Sequence, residues 1–335
     1  MERNQNPHLR ELAVMDGITP ALRRDGSIPF DEWKKTGLEK LNALLGLPLE
    51  PCAPEFLIEK TEKMDGYTRV RFTFQSEEGY FVPCYFLIPD GEGKRPTAIC
   101  LQGHSKGAHI SLGEPKYPGD AESIAGGRDF AIRAMREGFC ALVIEQRAFG
   151  ECGGTEKGPQ CHVPTMAALL TGRTMIGLRV WDVSRAIDML EAHFAEYIDF
   201  ERLICLGNSG GGTTTFYAGV LDERIRLAMP SCYVCTFRDS IAAMEHCVCN
   251  FIPGVSKWFD MGDIGGLMAP RPMVVVCGRD DPIFPLPGVK KTFALISGTY
   301  EAAGAAENCR LVIGNGEHRF YPDDAWPMAK EILGL

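Results

Sequence analysis

An α/β fold, with a mostly parallel twisted sheet and helices on both of its faces, is predicted for this 335-residue chain by three features of the sequence. From residue 97 onward, short apolar runs alternate with amphipathic stretches, and strand-then-helix alternation is how a parallel sheet is built. Before it, residues 55 to 90 hold strand-like runs separated by Asp65-Gly66 and Glu78-Gly79, the pattern of antiparallel hairpins. Third, the apolar run Leu203-Ile204-Cys205-Leu206 breaks off into Gly207-Asn208-Ser209-Gly210-Gly211, a G-x-S-x-G in which a strand turns sharply into a helix and leaves a serine at the tip.

Taken in order, residues 30 to 46 place Phe30, Trp33, Leu38, Leu41, Leu44 and Leu45 at helical spacing, with Asp31 near the start and Gly46 as the stop. This predicts an N-terminal helical arm, 1–54, packed on a single domain over 55–335. The runs 56–60, 68–74 and 80–88 read as strands, with Pro83 placing the third at an edge or a bulge unless its missing donor faces outward. Strands follow at 97–101 and 140–145 with a helix near 128–137 between them, then a long helix over 172–197 and the serine-bearing strand at 203–206. Thr213 to Val220 reads as a helix with Phe216 and Val220 on one face. Further strands at 225–229, 273–277 and 310–313 and a final helix from about 323 complete the pattern. Residues 231–262 interrupt it and read as a lid-like insertion.

Composition limits the partners. A net charge of −9 argues against nucleic acid and against an anionic membrane surface. No run of about 18 apolar residues is present, and Met1 to Arg24 lacks an apolar core of about seven, so neither a membrane span nor a secretory signal is expected and the chain reads as cytoplasmic. Thirteen cysteines, an odd number spread through the strands, suit buried reduced thiols better than a disulfide framework. Oligomeric state is left open, a homo-oligomer included.

A serine hydroxyl needs a histidine base to act as a nucleophile, and the histidine needs a carboxylate to hold its tautomer. Two later strands end in loops that supply them: Gly278-Arg279-Asp280-Asp281-Pro282-Ile283-Phe284-Pro285 and Gly314-Asn315-Gly316-Glu317-His318-Arg319-Phe320. The order Ser209, Asp281, His318 and the strand pattern from about residue 80 resemble the α/β-hydrolase superfamily. Spacing alone does not separate Asp281 from Asp280; the resemblance of Gly278 to Pro285 to the family's acid loop selects Asp281. The same likeness implies an oxyanion hole from the backbone N–H groups of Gly210 and, in the Gln102-Gly103-His104 loop, of His104, whose imidazole is alternatively a pocket wall. His8, His109, His162, His193 and His246 are read as ordinary surface or core residues. Glu145-Gln146-Arg147-Ala148-Phe149-Gly150-Glu151 resembles the family's D-x-R-G-x-G-x-S loop, with Arg147 tying loops together by charge-assisted hydrogen bonds or, alternatively, meeting a substrate anion.

Cys232, Cys235, His246, Cys247 and Cys249 invite a zinc reading, but C-x2-C followed by H-C-x-C is not a regular knuckle and the surrounding segment is rich in apolar bulk. A wall over Ser209 is expected instead, with Tyr233 and Trp258 as candidate lining residues and no metal or cofactor. A sharper likeness, through the Trp33 helix, the His104 loop, Gly207 to Gly212 and Met268-Ala269-Pro270-Arg271-Pro272, is to acetyl-xylan-esterase-like and dienelactone-hydrolase-like serine esterases. It implies hydrolysis of small esters such as acetylated carbohydrates through an acyl-enzyme. The alternatives are a peptidase or amidase of the same fold and a non-catalytic binding protein built on it.

Overall fold

The computed structural model describes residues 6–335. Its nine strands are β1 (Leu57–Met64), β2 (Tyr67–Glu77), β3 (Tyr80–Pro89), β4 (Arg95–Leu101), β5 (Cys140–Ile144), β6 (Ile198–Asn208), β7 (Leu227–Ser231), β8 (Met273–Gly278) and β9 (Cys309–Gly314). They form one sheet in the order β1-β2-β3-β5-β4-β6-β7-β8-β9. The pairings β1 to β2, β2 to β3 and β3 to β5 are antiparallel, and every pairing from β5 through β4 to β9 is parallel. The hairpin signals before residue 90 and the strand–helix alternation after it account for that division.

The helices are α1 (Pro7–Asp16), α2 (Phe30–Leu45), α3 (Asp120–Ser123), α4 (Phe130–Arg136), α5 (His162–Leu170), α6 (Met175–His193), α7 (Gly210–Leu221), α8 (Met261–Gly266), α9 (Leu286–Ala302) and α10 (Pro322–Leu333). Period-2 alternation in the strands sorts the core into two layers. Leu203 and Cys205 of β6 pack into the layer that holds α2, α6, α7, α8 and α9, whereas Ile204 and Leu206 pack into the one that holds α4 and α10. In the first layer α2 buries Trp33, Gly37, Leu41 and Leu45, ends at Gly46 in the left-handed region, and is fastened by the Trp33 indole N–H donating to the Leu22 carbonyl at 2.8 Å.

Several boundaries differ from the sequence reading for identifiable reasons. β3 is an interior strand, not an edge. Pro83 is tolerated because its carbonyl accepts from Glu145 N–H at the point where β5 has already ended, so the donor it lacks also faces the end of a strand. The helix expected over 172–197 is shorter, starting after Thr174, whose hydroxyl accepts from Gly177 N–H, and a separate helix α5 precedes it. α5 escaped detection because Val163, Met166 and Leu170 are exposed and give it no inward stripe. α7 is buried from Gly210 to Val220 on all sides rather than on one face. No helix of the described residues is long and apolar enough to cross a membrane.

Candidate active site

The chain leaves β6 at Asn208 and enters α7 at Gly210, and the residue between them carries the turn. Ser209 has φ 56° and ψ −121°, a left-handed conformation that costs a non-glycine residue roughly 1–3 kcal/mol and persists only where neighbours impose it. The imposition is visible: Ser209 N–H donates to the Ser231 carbonyl at 2.9 Å, and Thr213 N–H donates to the Ser209 carbonyl at 2.8 Å. Glycine is required beside it. A Cβ on Gly211 would lie 2.1 Å from the Leu101 carbonyl oxygen, and one on Gly207 would lie 2.6 Å from the same atom. The turn therefore sits directly on the end of β4.

Asp281 follows β8 and is held by its own loop. Its Oδ1 accepts from the backbone N–H groups of Ile283 at 2.8 Å and Phe284 at 3.1 Å, and its Oδ2 lies 2.8 Å from His318 Nδ1. Burial alone would raise this carboxyl, which is 3% exposed, but the hydrogen bond and charge of His318 together with the two amides hold it below the usual aspartate value. Asp280, the alternative that spacing left open, is exposed and makes no side-chain bond to His318 among the described residues.

His318 arrives from the loop after β9. Gly278 at the end of β8 lets that loop press close, since a Cβ there would lie 2.1 Å from the Glu317 carbonyl oxygen. The Tyr321 hydroxyl fastens the same carbonyl at 2.7 Å. The imidazole stacks on the Phe284 ring at 5.8 Å.

Ser209, Gly210 and His318 open onto one cavity of about 520 Å³. That lies within the range of about 300–1,000 Å³ in which small-molecule sites fall. Met244, Glu245, His246, Cys247 and Asn250 of the segment between β7 and α8 form part of its wall, and His104, Arg128, Pro159, Thr213, Ile283 and Phe284 complete the lining. Tyr233 and Trp258, expected as wall residues, do not line it. The Tyr233 ring turns inward among Phe216, Tyr217 and Phe284, and the Trp258 ring is covered by the Lys40 ammonium 3.7 Å from its centre. His246, read as ordinary, faces the cavity with Nε2 3.2 Å from Ser240 Oγ, and burial with the nearby His104 and His318 lowers its pKa. Arg128 closes the helical turn 124–128 that precedes α4, and no motif singled it out in the sequence; its partly buried guanidinium has no carboxylate partner among the described residues.

The loop after β4 lies against the serine turn: a Cβ on Gly103 would meet the Asn208 carbonyl oxygen at 2.7 Å. Neither Gly210 N–H nor His104 N–H has an acceptor among the described residues. The His104 imidazole rests on Gly210, where a Cβ would lie 2.8 Å from the ring, and its Nε2 reaches Cys249 Sγ at 3.1 Å. Cys161 and Cys247 join this pair, whereas Cys232, Cys235 and His246 do not. Arg147 points away from the cavity: it binds both oxygens of Asp182 at 2.8 Å, donates to Ser76 Oγ at 3.3 Å and stacks on Tyr80, so that a buried bidentate pair ties β2, the loop after β5 and α6 together.

Residues 18–326 match the sequence model of the Abhydrolase family. A Bacillus subtilis (strain 168) protein, provisionally named hydrolase YtaP, is 26% identical over 239 residues, which span 70% of this chain and 77% of that protein. The 4-O-methyl-glucuronoyl methylesterase of Phanerochaete carnosa (strain HHB-10118-sp) is 29% identical over 221 residues, 57% of this chain and 53% of that protein. Among solved structures, a Bacteroides fragilis NCTC 9343 protein provisionally designated an acetyl xylan esterase superposes with a TM-score of 0.78 at 19% identity, covering 97% of this chain and 84% of that one.

Proposed function

The chain belongs to the Abhydrolase family, and from that premise we propose that it is a serine ester hydrolase working through an acyl-enzyme at Ser209. The observation that carries this reading is the convergence on one cavity of a serine in a strained turn and a histidine whose far nitrogen is bonded to a buried aspartate. His318 Nε2 takes the Ser209 hydroxyl proton as Oγ attacks the ester carbonyl carbon. The oxyanion that forms is met by the unpartnered N–H groups of Gly210 and His104. His318 then protonates the leaving alkoxide, and a water molecule activated by the same imidazole releases the acid. Asp281 holds the imidazole with Nδ1 protonated and balances its charge while it carries the second proton.

The substrate class proposed is a small acyl ester, an acetylated carbohydrate first. A cavity of small-molecule size with Arg128, Glu245, His246 and Asn250 among its lining residues supports it, as do relatives designated as carbohydrate esterases. Arg128 adds a cation that suits a polar or anionic alcohol portion. Buried thiols at Cys84, Cys100 and Cys205 support a reducing, cytoplasmic setting.

The test is turnover of p-nitrophenyl acetate, acetylated xylo-oligosaccharides and a glucuronate methyl ester by the native chain and by Ser209→Ala. Loss of about 10⁴-fold or more in kcat in the variant is expected, with the acetyl esters preferred. Equal turnover by the two proteins would refute the nucleophile, and preference for the glucuronate ester would move the sugar to the acyl side of the bond.

A further inference from the structure

Beside the serine turn four donor atoms converge, one of them the imidazole of His104, whose backbone N–H faces the oxyanion. His104 Nε2 and the Sγ atoms of Cys161, Cys247 and Cys249 all lie within 4.8 Å of one another. The edges of a tetrahedral site with three thiolates and one imidazole are about 3.8 Å, from metal–sulfur distances of about 2.3 Å. The four atoms thus lie close enough together for one ion to reach all of them after small side-chain adjustments, His104 Nε2 standing 3.1 Å from Cys249 Sγ. They come from three separate parts of the chain: the loop after β4, the residue preceding α5, and the turn at 247–250 that forms one side of the cavity.

A second observation concerns charge. Arg179 of α6 is only 2% exposed, and no carboxylate pairs with it among the described residues. Its guanidinium donates to the Arg147 carbonyl at 2.7 and 3.2 Å, stacks over Phe149, and sends its remaining contact to Cys161 Sγ at 3.4 Å. A buried cation needs a counter-charge, and neutral thiols supply none. Three thiolates around one divalent ion carry a net charge of −1, which one guanidinium cancels.

We infer that His104, Cys161, Cys247 and Cys249 form a closed four-ligand zinc site, neutralised by Arg179, that fastens the oxyanion loop to the wall of the cavity. Four protein donors fill the tetrahedral shell and leave no open position for a water or a substrate, so the ion is structural. The donor set, rich in thiolate with one imidazole, selects zinc over oxygen-loving cations. Its position matters for function because His104 belongs to the loop beside Ser209, its ring rests on Gly210, and Asn250, next to Cys249, accepts from Thr213 Oγ1 of α7 at 3.0 Å. Binding releases the three thiol protons to solvent as the thiolates form.

The inference stands independently of the ester chemistry, and its first readout is metal content. The native chain, purified under reducing conditions without added metal, is expected to carry one zinc per chain with an X-ray absorption shell of three sulfurs and one nitrogen. Replacement by cobalt(II) should give the intense d–d bands of a tetrahedral thiolate site. Cys161→Ser and Cys249→Ser should lose the metal, and Cys232→Ser, outside the cluster, should keep it; should the first two fail to fold, the absorption shell and the cobalt spectrum of the native chain still decide. Removing the ion with a chelator should lower the melting temperature and cut ester turnover at least tenfold, both restored by zinc. Metal-free protein that takes up no zinc would overturn the inference, and so would a disulfide among these cysteines in freshly isolated protein or a shell dominated by oxygen.

Discussion

Asp281 illustrates what single residues contribute. Its carboxyl is depressed by His318 and two backbone amides, so it stays ionised well into the acid range and its stabilising contribution is present above its unfolded value and lost as pH falls through the lowered one. Protonation of Asp281 is therefore not expected to limit activity under mildly acid conditions. Asp281→Asn should lower kcat by about 10⁴-fold at neutral pH with little change in KM. A loss under tenfold, measured by steady-state kinetics, would mean another carboxylate orients His318. That Ser209, Asp281 and His318 lie in loops at strand ends was legible in the sequence, because each follows an apolar run that breaks off at a glycine. The His104–Cys161–Cys247–Cys249 cluster was not. Two of its members stood in the His246-Cys247-Val248-Cys249 run, but the other two come from positions 143 and 86 residues before Cys247, and no local spacing announces ligands so far apart.

At the scale of elements, the loop after β5 shows a buried acid held against its preference. Glu145 Oε2 accepts from Ala108 N–H at 3.0 Å and Glu151 N–H at 3.4 Å, yet burial pushes its pKa up to about 7. A folded value above the unfolded one means the contribution to stability is present below about pH 4.5 and lost as pH rises through 7. Glu145→Gln keeps an acceptor and removes the charge. It is expected to gain on the native chain by an order of 2–3 kcal/mol between pH 4.5 and 8, read as a difference in melting temperature that grows with pH; a pH-independent difference would contradict the burial. Arg147 and Asp182 form the opposite case, a buried pair whose halves need each other. Arg147→Ala should cost about 3–5 kcal/mol by leaving Asp182 uncompensated, visible in urea unfolding, while the KM for a small ester stays near its native value because the arginine faces away from the cavity. The motif likeness identified this loop; its role as a tie between β2 and α6 needed the contacts.

For the whole molecule, the antiparallel and parallel parts of the sheet divide where the hairpin signals stop, and the active-site loops all leave the same ends of the parallel strands. Periodicity carries that much because strand faces and helix stripes are set by burial. It does not carry lengths: β6 runs from Ile198, well before the apolar run at Leu203, since pairing with β4 at Arg95 extends it through Asp199 and Glu201. The inward turn of Tyr233 was likewise illegible, because an aromatic residue in an insertion suits a wall and a core equally. The helix around Trp33 bears on the fold as a whole. Trp33→Ala should cost about 3–5 kcal/mol and lower the melting temperature with ester turnover per folded molecule unchanged, whereas loss of turnover without loss of stability would tie this arm to the site.

The most direct test is covalent. A fluorophosphonate probe reacts only with a serine activated as a nucleophile, so peptide mapping after incubation should find the adduct on Ser209. Labelling should vanish in Ser209→Ala and slow by at least about a hundredfold in His318→Gln, the low end of what a positioned general base contributes. An unlabelled native chain, or an adduct on any other residue, would contradict the assignment of Ser209 as the nucleophile.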